Sequence, residues 1–388
     1  MSDYDSTGFS DFDAYSNETR ERLLWILHAT QVVSIAKETP EFIISLIGIF
    51  LNIFHLIILT RKSMRSTSIN VLMIGIAISD LFVMIFWSFI KVFVDSTRWN
   101  NDCVAPNGFW TMILEDFTDS TKDVFRRVSP WLGVLMAVIR FLIIKNPLNP
   151  RFDFLSRTSF SWNIILIITF LSSLFSALFF LQFQINELPA WTPPEQCPGF
   201  PENYTEEQFT IVMASWEQNS LELFYEVYYI IEGILKIVPA ILLPILAFLL
   251  IRELKKAAKS RRNLLSSQGN GKDHTTNLVF LMTVSFVISE LPLGITFAAT
   301  GYFATDPGFG EICVNLTMFL NIFVALNATT HCLICMTMSS QYRNCVKNLF
   351  CKNVKPTVVK VSSKSSPNPN CGRDKMSLAP NFEDISPQ

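Results

Sequence analysis

Residues 69–90 read "INVLMIGIAISDLFVMIFWSFI", an apolar run broken by a single charge, Asp80. At 1.5 Å per residue, a helix of this length spans roughly 30 Å, the thickness of a bilayer's hydrocarbon core. A carboxylate at that depth must face the interior of a helix bundle and find partners there. The stretch therefore predicts a membrane-crossing helix packed among others.

The rest of the chain supplies those others. Half of the 388 residues are hydrophobic, 34 are Phe and only 16% are charged, which places the chain among membrane proteins rather than soluble enzymes. A net charge of -2 is too balanced to argue for nucleic acid as a partner. Further runs with spanning length are Phe42–Thr60, about Asp119–Ile144, Thr158–Phe183, Phe224–Ile251, Asn277–Phe303 and Cys313–Met338. The third span is the weakest by hydropathy, but the charge pattern requires it. The loop after the first span holds Arg61, Lys62 and Arg65, and the loop after the fifth holds Arg252, Lys255, Lys256 and Lys259. Between the fourth and fifth spans lie Glu187, Glu195, Glu202, Glu206, Glu207, Glu217 and Glu222, with no Lys or Arg. Basic loops stay in the cytoplasm, so the pattern alternates only with seven spans, the N-terminus outside and the C-terminus inside.

This predicts an all-α membrane protein: an extracellular N-terminal segment (1–39), a seven-helix bundle (40–338), an interfacial helix (339–352) and a disordered cytoplasmic tail (353–388). Residues 1–20 show no signal-peptide pattern, so a later span must act as the export signal. The sequons at Asn17 and Asn203 fall outside, where glycosylation is available, whereas those at Asn315 and Asn327 fall in or beside the seventh span. In "SSQYRNCVKNLFCKN" (339–353), Tyr342, Cys345, Val346, Leu349 and Phe350 share one helical face, and S-acylation at Cys345 or Cys351 would anchor it to lipid. The tail beyond Lys355 is rich in Ser, Pro and Lys.

Several placed residues resemble the rhodopsin-like G-protein-coupled receptors over about residues 40–352. Asn52 lies in "GIFLN", and Asn70, Ala77 and Asp80 fit the second-span pattern. Departures from that pattern are specific too: Ile139-Arg140-Phe141 in span three, Glu290 before Pro292 in "FVISELP", and His331-Cys332-Leu333-Ile334-Cys335 in span seven. With "SPWLGVLMAVIR" these look like the nematode serpentine receptor class W, itself similar to FMRFamide-type neuropeptide receptors. The resemblance implies plasma-membrane localisation, an extracellular peptide or small-molecule ligand, coupling to a heterotrimeric G protein, arrestin as a further partner, and no catalysis. It also implies a Cys103–Cys197 disulfide. Cys103 lies further from Arg140 than usual in the family, so either the third helix is extended or the cysteine sits in the preceding loop.

The polar residues inside the spans are the candidate sites. The resemblance places Ser129, Asn327 and His331 around Asp80, with Asn52 nearby, as an activation site holding sodium or a proton. Glu290 needs a cation. Arg126, about four helical turns or ~21 Å before Arg140, is at its level, and Lys236 follows Glu232 by one turn. These four are expected to form one buried network, with Arg127 on the adjoining face. Lys91, Lys122 and Asp123 are further candidates to line the ligand pocket. The acid-only loop suits a cationic ligand, in keeping with peptides ending in Arg-Phe-amide.

"GVLMAVIRFLIIKNP" (133–147) carries Arg140 alone, at the cytoplasmic end of its span. With Arg252, Lys255 and Lys256 it is the expected G-protein contact. In the family an acid precedes that arginine and clamps it; Ile139 cannot. An opsin would need a lysine in span seven, and Cys313–Met338 has none. No internal repeat suggests a transporter, and no charged ring or pore loop suggests a channel.

Overall fold

In the computed structural model the described residues are 12–13, 15–89, 103–104, 108–146, 149–180, 183–213, 218–264, 274–338 and 340–350. In chain order they form α1 (Asn17–Ala36), α2 (Glu38–Leu59), α3 (Ser68–Phe89), α4 (Phe109–Lys145), a 3-10 turn (Pro150–Ser156), α5 (Thr158–Phe180), β1 (Phe183–Trp191), β2 (Glu206–Met213), α6 (Gln218–Leu264), α7 (His274–Tyr302), α8 (Pro307–Met338) and α9 (Ser340–Phe350). Seven crossings are long and apolar enough to span a membrane, with α1 and α2 counted as one. The large apolar side chains on the outer faces are exposed, Phe50, Phe170 and Phe248 among them, because their solvent is lipid.

Three elements differ from the expectation. Residues 17–36 form a helix, α1, that runs into the first span with a junction at Lys37. Its polar sequence hid it, but Leu27 packs on Ile312, and Gln31 donates to Glu311 at 2.6 Å. The third helix begins at Phe109, well before Asp119, and carries Glu115 and Asp116 in its added turns. The acidic loop is not irregular: β1 and β2 pair antiparallel, Phe183 opposite Met213, with a bulge between Leu188 and Trp191.

Cys103 and Cys197 are joined, and Cys103 lies in the loop before α4. The hairpin is thereby tied to the entry of the third span; this end of the bundle is called the disulfide end below, and the opposite one the basic end. On the hairpin Tyr204 donates to Glu206 at 3.0 Å, and that bond, with the carboxylate's charge, holds the phenol above its ordinary pKa. Glu187, Glu195, Glu202, Glu206 and Glu207 are exposed. The side chains of Glu217 and Glu222 lie outside the described residues.

Two apolar clusters build the basic end. One joins Leu72, Ile76, Leu132, Ile139 and Leu155 across α3, α4 and the 3-10 turn. The other joins Ile58, Leu59, Ile74, Cys335 and Tyr342, and so seats α9 against α2, α3 and α8. Near the disulfide end α6 and α7 touch backbone to backbone. A Cβ on Gly233 would stand 2.6 Å from the Ala298 amide nitrogen, and one on Gly301 2.6 Å from the Glu226 carbonyl oxygen. Only glycine permits that approach.

Candidate ligand cavity and polar core

Between α2, α3, α4, α7 and α8 lies a cavity whose walls include Glu41, Trp87, Lys122, Arg126 and Glu290. Most of its charges are paired. Lys37 holds Glu41 one helical turn on, and Lys122 holds Asp119. Both ammonium groups lie over the Trp87 ring, at 4.7 and 5.5 Å from its centroid, where the ring's quadrupole attracts cations. Arg126 donates to Asn321 at 2.7 Å and meets Asp123 at 3.4 Å.

The expected four-member network does not form; a three-member one forms around a different arginine. Arg127 donates to Glu232 at 2.8 Å, and Lys236 meets the other oxygen of Glu232 at 3.1 Å. Arg127 also donates to the Ser172 hydroxyl at 3.1 Å and to Ser176. All three charged groups are buried. Arg126 takes no part, and Glu290 pairs with neither arginine. Glu290 is 3% exposed, and its Oε2 has no hydrogen-bond partner among the described residues. One residue is 100° of helical phase, so Arg127 turns toward α5 and α6 while Arg126 turns toward α8. Lys91 lies outside the described residues.

Asp80 sits at the inner limit of this cavity. Ser129 donates to its Oδ1 at 2.8 Å, and the His331 imidazole bonds its Oδ2 at 3.0 Å. Asn327 is turned away, its Oδ1 accepting from Ser285 at 2.9 Å. Asn52 donates to the carbonyls of Gly48 and Ala328, at 3.0 and 3.3 Å. Sodium requires a shell of oxygens. Here both carboxylate oxygens are engaged, the Asn327 oxygen is taken, and an imidazole nitrogen stands among the donors. Ser129 and His331 thus each hold one oxygen of Asp80, while the Asn52 Oδ1 is buried without a hydrogen-bond partner among the described residues.

Beyond Asp80 a second cavity opens toward the basic end. Ser129 and Phe286 line both cavities, so the Asp80–His331 pair sits at their common wall. The second cavity is apolar apart from Arg140, His55, His331, Ser129 and Thr283. Arg140 projects into it from α4, with no ion pair or hydrogen bond among the described residues, while Ile139 beside it is 2% exposed in the α3–α4 cluster. At the same end Tyr342 shares a hydrogen bond with His55 (2.9 Å) and meets the Cys332 sulfur at 3.5 Å. Sequence reasoning missed this group and the Lys37–Glu41–Trp87 cluster, although a histidine alone in the first span was a signal.

Arg252, Lys255 and Lys256 are exposed at the basic end of α6. Asn17 and Asn203 are exposed, whereas Asn315 and Asn327 are buried. Cys345 is half-buried and packs against the Ile58–Tyr342 cluster. Cys351 lies outside the described residues.

Two cavities thus meet across one hydrogen-bonded acid inside a bundle of seven membrane-crossing helices, and the family match assigns that bundle to the G-protein-coupled receptors. The chain belongs to the serpentine type 7TM GPCR chemoreceptor Srw family, whose sequence model matches residues 39–353. It is a receptor rather than an enzyme. It is 23% identical over 375 residues to the G-protein coupled receptor dmsr-1 of Caenorhabditis elegans, covering 83% of this chain and 68% of that one. It is 24% identical over 325 residues to the sex peptide receptor of Drosophila melanogaster, covering 79% and 70%. It is 22% identical over 329 residues to rhodopsin of Petromyzon marinus, covering 81% and 80%.

Proposed function

We propose that this receptor binds a cationic peptide in the cavity lined by Trp87, Lys122, Arg126 and Glu290, and in response activates a heterotrimeric G protein at its basic end. The observation that carries the reading is the hairpin: an acid-only, solvent-exposed platform tied by disulfide to the entry of α4. Such a surface raises the local concentration of a basic ligand. The likeness to a receptor named for a peptide supports it.

In this reading the disulfide end faces outward, with Asn17 and Asn203 available to glycosylation. Plasma-membrane localisation follows. Lys122, Asp123, Arg126, Glu232, Lys236 and Glu290 line or support the ligand site. Arg140, Arg252, Lys255 and Lys256 meet the G protein, and arrestin competes for the same face. The Asp80–His331 pair, with Ser129, Asn52 and Asn327, couples the two cavities. A second reading, chemosensing of small molecules, is favoured by the family's description as chemoreceptors.

One experiment separates the two. Cells expressing the full chain are screened with amidated peptides and with volatile and soluble metabolites, and G-protein activation is read. Activation by a basic peptide at submicromolar concentration, with an on-rate that falls steeply with salt, supports the first reading. Activation by small neutral molecules alone rejects it.

A further inference from the structure

Lys37 joins α1 to α2 in helical geometry, its amide donating to the Val33 carbonyl at 3.2 Å and its carbonyl accepting from the Glu41 amide at 2.9 Å. α1 therefore runs on from α2 rather than folding back. α2 alone has 22 residues, as α3 has, and that length crosses the hydrocarbon core. The 20 residues of α1 rise about 30 Å farther, and headgroups cover only roughly the first 8 Å of that rise.

One side of α1 leans on the start of α8, through Leu27 on Ile312, Gln31 to Glu311 and Ser34 to Asn315. The other side is apolar and no described residue covers it. Leu24, Trp25, Ile26, Val32, Val33 and Ile35 are between 39% and 71% exposed. Lipid is the solvent of such side chains lower in the bundle, but most of these stand above it. So large an apolar patch in water marks an interaction surface. With Trp25 as its centre, Val32 and Ala36 lie about 20° to either side and Ala29 about 40°, at 100° per residue.

Symmetry and charge decide what covers it. Two copies in one membrane stand parallel and at the same height. A two-fold axis between their α1 helices sets each flank of one against the opposite flank of the other. Val33, about 80° to one side of Trp25, then meets Ile35, about 80° to the other. Ile26 meets Leu24, each about 100° out. Arg22, about 60° out, meets Glu21, about 40° out on the opposite flank. Glu21 is exposed. Arg22 holds Glu18 of its own helix, and its guanidinium has donors to spare for a second acid. Apolar meets apolar and cation meets anion on both flanks, so the face complements itself.

We infer that the outward face of α1 is a homodimer surface, on which a second copy of this receptor packs its own α1 in parallel across Trp25, Ala29, Val32 and Ala36, with Arg22 and Glu21 paired on each flank.

The test uses the full-length receptor at the surface of cells. Cysteine is placed at Val32 on the central line, and in a separate variant at Glu187 on the hairpin as a measure of chance encounters. Under mild oxidation, a disulfide-linked dimer should form roughly tenfold faster from Val32→Cys than from Glu187→Cys, because a standing contact raises the effective concentration of the two thiols. Single-molecule photobleaching then counts copies per spot. Glu21→Arg sets arginines against one another and should lower the dimer fraction several-fold, and adding Arg22→Glu should restore it. Trp25→Glu with Val32→Glu should dissolve the pair while the surface level holds, since both side chains are exposed.

Cross-linking of Val32→Cys no faster than that of Glu187→Cys overturns the inference. So does a linked product whose mass is not twice that of the receptor, which would give the face to another protein. It is equally overturned if Trp25→Glu with Val32→Glu leaves the dimer fraction unchanged, or if Arg22→Glu fails to rescue Glu21→Arg.

Discussion

Tyr342 of α9 reaches into the bundle and shares a 2.9 Å hydrogen bond with His55 of α2. Both side chains are almost fully buried, and Cys332 of α8 touches the same hydroxyl at 3.5 Å. One phenol thus joins three helices at the basic end, and replacing it with Phe leaves an imidazole nitrogen unpaired. Tyr342→Phe should cost about 1–3 kcal/mol, seen as a lower melting temperature of the purified receptor. Burial pushes the phenol far above the ordinary tyrosine range, and the contact with Cys332 adds to the shift. The stabilisation is therefore fully present below about pH 10 and lost as the pH rises beyond it. The melting temperature should fall at high pH less steeply in Tyr342→Phe than in the unaltered chain; parallel falls would count against the assignment.

Among the described residues Glu232 is the direct ion-pair partner of both Arg127 and Lys236. Glu232→Gln strands two buried cations, and a loss of about 3–5 kcal/mol is expected, with surface expression falling accordingly. The exchange Arg127→Glu with Glu232→Arg should recover part of that expression. The same exchange between Arg126 and Glu290 should recover none, because those two do not pair. Rescue of the second pair in an expression assay would refute the geometry.

Ile139 precedes Arg140 but packs in the apolar cluster of α3 and α4. Ile139→Asp therefore buries a carboxylate without a partner instead of supplying a clamp for the arginine. Cell-surface receptor should drop several-fold, whereas Ile139→Leu should cost under about 1.5 kcal/mol. Normal surface levels with lowered basal signalling in Ile139→Asp would mean that the acid reaches Arg140 after all.

His331 takes the Asp80 oxygen that a cation would need. Replacing sodium with choline in the assay buffer should leave ligand affinity and basal activity unchanged at constant ionic strength. His331→Asn replaces the imidazole with an amide oxygen, and sodium sensitivity should appear in that variant. A sodium effect on the unaltered receptor would sink the idea.

Gly301 lies against the Glu226 carbonyl. Gly301→Val should force α6 and α7 apart and abolish surface expression, whereas Gly108→Ala meets open space and should be neutral in that assay.

The seven crossings were legible because hydropathy and loop charge record contact with lipid and water directly. The sites were only partly legible. Asp80 with Ser129 and His331 followed from motif positions, because those helices keep a fixed phase relative to one another. The choice between Arg126 and Arg127 did not, because adjacent residues differ by a third of a turn and the added turns at the start of α4 were misjudged. Glu115 and Asp116 make those turns look like loop. The hairpin escaped notice because nine residues as mixed as "FQINELPAW" have no clean alternation. Tyr342 was read as one member of a lipid-facing surface, since amphipathicity shows that a face is apolar but not what covers it.

The glycine seam between α6 and α7 lies in the half of each helix nearer the disulfide. There the two backbones are already at contact distance, with no side chains between them to compress or slide. Farther along, past Pro239 and Pro292, Ala247 and Leu250 of α6 and Met282 and Phe286 of α7 line the Arg140 cavity. Two rods held at one end can part only at the other, so the seam is a fulcrum. A push at Glu290, one helical turn from Gly294, would be magnified by that lever where Arg252, Lys255 and Lys256 stand.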